Sequence, residues 1–331
     1  MNSFLLSKYR TELMGVATIM IILCHASATW TTMPYLLKRL LGIGNLGVDL
    51  FLLVSGVGIA FSLSRISSLR EIKYWYKKRF LRIIVPYTMI MIPTLLYLKI
   101  RSNHSWMDLL LHYSTIDFWT NHRGAWYIAM ILPLYVVSPF IFRFINRFSN
   151  TCLVGIAISL FLFIFSIFNF SGSSTAINIL KNIQYCCLRI PAFICGMSLF
   201  PLIKDHKDIS TRKLIRIFLV CFVLIAILRV LGKEYEFPLL QLIPLVIILL
   251  LLINKVKSKL RLLLFMGSIS LESYLTNVYL PLPIKDCNHL ILNDRLPDYL
   301  VYFIIVLLGI SISILVHKMS NIVLSKKSYD N

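Results

Sequence analysis

Residues 43–64 read IGNLGVDLFLLVSGVGIAFSLS, an apolar run of 22 residues whose one ionisable side chain is Asp49. A helix needs about 20 apolar residues to cross roughly 30 Å of hydrocarbon, so this stretch is long enough to span a bilayer. Outward from it, comparable runs lie near residues 12–31, 81–98, 126–145, 151–170, 184–203, 214–232, 237–254, 262–282 and 299–318. The expected protein is all-α and polytopic, with about ten transmembrane helices forming a single integral-membrane domain over residues 1–331 and no separate soluble domain.

Composition agrees. Hydrophobic residues make up 58% of the chain, aromatics 13% and charged residues 15%, and the mean hydropathy is +0.79. That balance excludes a soluble globular protein, and a disordered chain would need far less apolar content. The net charge of +20 would suit a nucleic-acid partner, but the basic residues sit in short clusters between apolar runs rather than in one stripe. They read as membrane-flanking charges, and no nucleic acid is expected. Of the seven cysteines, Cys24, Cys152, Cys186, Cys187, Cys195 and Cys221 fall in or beside apolar runs with no metal-ligand spacing, so no metal is expected either.

Charge also orients the spans. Sorting the 34 Lys and Arg by the span end they flank places 23 on one side and 11 on the other. Basic loops stay in the cytoplasm, so ten spans put both termini on the cytoplasmic side of the cell membrane. Lys8, Arg10 and the following apolar stretch up to Ala26-Ser27-Ala28 resemble a secretory signal, but its removal would leave nine spans and break the charge alternation. The longest external segment, 99–125, carries His104, Trp106, His112, Trp119, His122 and Arg123. It reads either as the lining of an acceptor groove or as an interfacial segment with an aromatic belt.

Ionisable groups inside spans are costly and are functional candidates by default. Here they are Glu12, His25, Asp49, Arg189, Arg229 and Glu272; Glu12 and Arg229 lie near span ends, where they can snorkel. His25 and Asp49 fall about 7 Å below the outer boundary on consecutive antiparallel spans, a matching depth at which they can meet. Such a pair serves either as an oriented general base for a hydroxyl group or as a hydrogen bond that joins two helices. Around Asp49, Gly47, Ser55, Gly56 and Gly58 are first of all packing positions. On the cytoplasmic side, Tyr74-Trp75-Tyr76-Lys77-Lys78-Arg79-Phe80-Leu81-Arg82 places Arg79 and Arg82 on one helix face. That geometry suits phosphate binding, and a basic orientation signal with aromatic anchors is the other reading. Glu272 and Arg189 are expected to pair, stabilising the bundle or the transfer path.

Several separated segments resemble the acyltransferase 3 family of integral-membrane O-acyltransferases. They are Leu13-Met14-Gly15-Val16-Ala17 leading to His25; Gly47-Val48-Asp49-Leu50-Phe51 with Ser55-Gly56; Lys78-Arg79-Phe80-Leu81-Arg82 with Pro86-Tyr87; Trp126-Tyr127 with Tyr135 and Pro139; Arg189 with Phe193 and Gly196; and Gly267-Ser268-Ile269-Ser270-Leu271-Glu272 with Tyr274-Leu275. The resemblance implies a ten-span fold, acetyl-CoA as cytoplasmic acyl donor, and a cell-surface or lipid-linked glycan as acceptor. It implies that His25 is catalytic and that the Arg79 and Arg82 segment handles the donor.

Two positions depart from the family pattern. Met14 stands where the family often has Arg, about 16 Å along the helix from His25; Arg10, one turn lower, is the expected substitute at the donor. Asn277 stands where the family often has His, and an asparagine hydrogen-bonds without exchanging a proton. The resulting expectation is a His25 base oriented by Asp49, with Arg79, Arg82 and Arg10 on the donor and Glu272, Arg189, Tyr274, Asn277 and Trp126 in support. Transfer is direct or through an acyl-enzyme, and activity falls below about pH 6.5. A transporter or flippase of a lipid-linked sugar, using His25, Asp49 and Glu272 as a proton relay, is the alternative.

Overall fold

The computed structural model describes residues 1–230, 232, 237–256 and 260–329. Among them the regular elements are helices. In chain order they are α1 (Leu5–Lys8), α2 (Arg10–His25), α3 (Tyr35–Gly42), α4 (Leu46–Leu63), α5 (Leu69–Ser102) and α6 (Trp106–Tyr113). Next come α7 (Ile116–Asn121), α8 (Trp126–Ile145), α9 (Thr151–Ser166), α10 (Ser174–Ser198), α11 (Phe200–Lys204) and α12 (Thr211–Val230). The chain continues through α13 (Pro238–Lys255), α14 (Arg261–Ser268), α15 (Ser270–Tyr279), α16 (Pro281–Leu290) and α17 (Asp298–Tyr329).

Local sequence sets the helix ends. Ser68 begins α5 by accepting the Glu71 N–H at 3.2 Å, which satisfies one of the donors that a helix start leaves unpaired. The same helix stops at Asn103, whose φ of 46° is left-handed. Ser105 and Asp108 form a reciprocal capping box at the start of α6. Pro86 and Pro93 inside α5 and Pro191 inside α10 remove ladder hydrogen bonds that neighbouring groups in a membrane bundle replace.

Among the described residues, seven helical stretches are long and apolar enough to cross a membrane: Arg10–Ala28, Tyr35–Leu63, Leu69–Ser102, Trp126–Ile145, Ser174–Lys204, Pro238–Lys255 and Asp298–Ser325. The other three expected spans are helical but differ in character. Thr151–Ser166 has only 16 residues, Thr211–Val230 carries Arg212, Lys213, Arg216 and Arg229, and the run at 262–282 is divided at Ile269 between α14 and α15.

The chain forms two compact units, with unit boundaries inside α2 and α8. The first comprises Met1–Ala17, Leu46–Ser67 and Val137–Ser268. Its centre is α4, buried at nearly every position from Leu46 to Ala60 and packed against α10 and α13. Lipid tails are as apolar as the side chains, so close contact rather than water exclusion holds such helices together. Gly56 and Gly196 provide that contact reciprocally: a Cβ on Gly56 would stand 2.2 Å from the Phe193 carbonyl oxygen, and one on Gly196 would stand 2.1 Å from that of Leu53. Gly15 and Gly267 do the same between α2 and α14, against the carbonyls of Leu263 and Thr11.

The second unit comprises Thr18–Asn45, Ser68–Val136 and Ile269–Asn331. Here α5, α15 and α17 pack on one another. Thr276 fastens α15 to α17, with its hydroxyl 3.3 Å from the Gly309 carbonyl and 3.1 Å from the Ser313 hydroxyl.

Candidate functional site

His25 ends α2 in the second unit, and three contacts hold the chain around it. Tyr302 of α17 donates to the Ile22 carbonyl. Lys285 of α16 donates to the Ala28 carbonyl at 2.6 Å, and Asp298 receives the Thr31 hydroxyl. Beside the ring, Asn277 on α15 brings its Nδ2 to 2.7 Å from Nδ1 of His25. An amide can turn either its oxygen or its NH2 towards a ring, so Asn277 orients the imidazole in either neutral tautomer and exchanges no proton with it. Asn277 itself is buried and the imidazole half-buried.

The expected orientation of His25 by Asp49 is replaced. Asp49, 1% exposed in α4, forms an ion pair with Nη1 of Arg189 in α10, within the first unit. Arg189 also hydrogen-bonds Tyr185 and lies 5.8 Å from the centre of that ring. The reason is electrostatic. A carboxylate withdrawn from water is compensated far better by a permanently charged guanidinium than by a neutral imidazole. Only one carboxylate oxygen is used; Oδ1 of Asp49 has no hydrogen-bond partner among the described residues.

Arg189 is therefore not the partner of Glu272, a second correction. Glu272, buried at the start of α15, accepts from or shares a proton with His317 of α17, Oε1 to Nδ1 at 3.0 Å. Nε2 of His317 in turn lies 3.0 Å from Asn321. Sequence reading missed His317, which falls at the edge of the run 299–318, where a histidine reads as a bilayer-flanking residue.

The supporting aromatics act on the start of α8. The Tyr274 hydroxyl accepts the Tyr127 N–H at 3.3 Å, and the Tyr279 hydroxyl accepts the Ala125 N–H at 3.0 Å. Two of the donors left open at a helix N-terminus are thus met by tyrosines of α15. Trp126, the first residue of α8, stands half-buried between them in sequence. Tyr279 carries no signal in the sequence that separates it from a core tyrosine.

The basic residues divide. On α5, Arg82 is exposed, whereas Arg79 is half-buried, 5.8 Å from the Trp75 ring centre. Arg10 starts α2 in the first unit, and its guanidinium lies where a Cβ on Gly58 would be 2.7–2.9 Å away. That contact uses Arg10 as packing against α4, in addition to any part in donor binding.

Comparison with known proteins adds one finding. A family model described as an acyltransferase domain matches residues 13–318, nearly the whole chain. Neither the curated proteins nor the solved structures contain a match.

Proposed function

We propose, from the premise that this chain belongs to the acyltransferase 3 family, that it is a membrane O-acetyltransferase that moves an acetyl group from acetyl-CoA to a hydroxyl of a cell-surface or lipid-linked glycan. The single observation that carries the reading is the family match over residues 13–318. The helices and the apolar composition support a membrane protein. The basic asymmetry of the loops supports both termini in the cytoplasm and the donor arriving from that side.

In this reading His25 is the general base. With the Asn277 amide turned so that its oxygen, in place of Nδ2, accepts from Nδ1–H, Nε2 keeps a lone pair for the hydroxyl proton. The sugar oxygen bonds to the thioester carbonyl carbon, the C–S bond breaks, and the departing thiolate takes the proton back from the imidazolium. Arg82, exposed, and Arg79, backed by Trp75, supply the charge for the donor's phosphates. Asp49 and Arg189 belong to the framework and not to the base.

The test is direct. Purified protein incubated with radiolabelled acetyl-CoA and candidate glycans is expected to label the glycan. A transporter or an assembly subunit without chemistry leaves it unlabelled, and the transporter alternative has no observation in its favour.

A further inference from the structure

The second unit holds another imidazole set up for hydrogen bonding, in the segment between α5 and α8. Thr115, with φ 65°, turns the chain so that α7 folds back on α6. That turn brings Asp117 to His112, Oδ2 to Nδ1 at 3.1 Å. The other oxygen of Asp117 receives the Asn121 amide at 2.8 Å, so the carboxylate is fixed from both sides. Burial pushes the Asp117 carboxyl up, but the hydrogen bonds from Asn121 and His112, with the charge of Arg123, outweigh it and hold it below the ordinary carboxylate range.

A carboxylate accepts only, so in the neutral ring Nδ1 of His112 carries the proton and Nε2 presents its lone pair. Among the described residues Nε2 has no hydrogen-bond partner. Its surroundings pack closely on one side of the ring. Gly124, with φ +86°, lies so close that a Cβ there would stand 3.2 Å from Cε1 and 3.6 Å from both Nε2 and the Tyr279 hydroxyl. The Tyr279 ring meets His112 edge-on, with centres 6.1 Å apart. The His112 side chain is 17% exposed, reachable yet largely withdrawn from water.

We propose that His112, positioned by Asp117 and still reachable from solvent, is a binding residue for the sugar acceptor, with its Nε2 accepting a hydrogen bond from an acceptor hydroxyl. The chemistry selects this ligand class. A lone pair backed by a carboxylate repels phosphates and carboxylates and attracts an O–H donor. A metal ion is disfavoured, because no group of three metal-binding side chains occurs among the described residues. The proposal rests on the acyltransferase reading and names the acceptor side of it.

The experiment uses the full-length protein in detergent, radiolabelled acetyl-CoA, and the total envelope glycan of its own host as the acceptor probe. For His112→Ala the glycan concentration giving half-maximal transfer is expected to rise about tenfold, the worth of one hydrogen bond, while KM for acetyl-CoA stays within about twofold of wild type. Asp117→Asn, which keeps the imidazole, is expected to give a smaller rise, and His112→Gln is expected to recover part of the loss. Equal rises for both substrates, or an unchanged glycan dependence, overturn the proposal. A second readout needs no transfer: carbethoxylation of His112 in the wild-type protein, located by mass spectrometry, is expected to be slowed by the glycan and not by CoA. If the wild type transfers no label, the acyltransferase reading fails on that ground. The footprint then still decides the subsite, since equal modification with and without glycan overturns it.

Discussion

A buried carboxylate settles on the neighbour that compensates its charge best, and for Asp49 that neighbour is Arg189. Removing one partner leaves the other charge buried and unpaired, whereas replacing both with apolar side chains of similar size removes the problem. Asp49→Asn is therefore expected to lower stability by about 3–5 kcal/mol, read as a drop in the thermal midpoint in detergent. Asp49→Leu combined with Arg189→Met is expected to recover most of it. Single and double variants of equal stability would remove the ion pair from the account. Asn277→Ala is expected to lower the transfer rate by about tenfold, one hydrogen bond's worth, with KM for acetyl-CoA unchanged. At this scale the sequence marked the ionisable residues inside the spans but not how they pair. His25, Asp49, Arg189 and Glu272 stand out because charges in apolar runs are expensive. Depth arithmetic matched His25 with Asp49, yet depth says nothing of helix rotation, and Arg189 lies 140 residues from Asp49. Asn277, 252 residues from His25, was visible only as a departure from the family pattern.

At the scale of the element, close approach of backbones carries the packing. Gly196→Leu would drive a side chain into the Leu53 carbonyl, and α4 and α10 would have to part. A loss of about 1–3 kcal/mol is expected from overpacking, measured by urea or heat in detergent; a stability equal to wild type would show that the contact is loose. The stripe around Asp49 was legible as a packing surface from its small residues, but its partner helix was not, because small residues mark a contact without naming the other side. The α6–α7 turn offers a pH test. Asp117 titrates below its ordinary range when folded, so its contribution is fully present above its unfolded pKa of about 3.9 and is lost as pH falls through the lower folded value. Amide exchange in residues 106–121 is expected to stay slow down to about pH 4 and to quicken below it; exchange unchanged below that range would exclude the Asp117 contacts as what orders this turn.

For the whole molecule, the apolar runs made the helical membrane class plain, because hydropathy at this length admits few other folds. The number of crossings is less legible. Length and apolarity qualify seven helical stretches among the described residues, and the basic residues of α12 and the break at Ile269 blur two of the remaining segments. Orientation rests on charge, and Cys287 tests it. This cysteine is the exposed one of the seven, in α16, which follows the outer end of the expected ninth span. A membrane-impermeant maleimide is expected to label it in intact cells; labelling only in inverted membranes would reverse the topology. The central claim concerns His25. Acetyl transfer from labelled acetyl-CoA to envelope glycan, compared between wild type and His25→Ala extracted in equal folded yield, is expected to fall by at least about a hundredfold, and transfer at the wild-type rate in the variant would contradict the account.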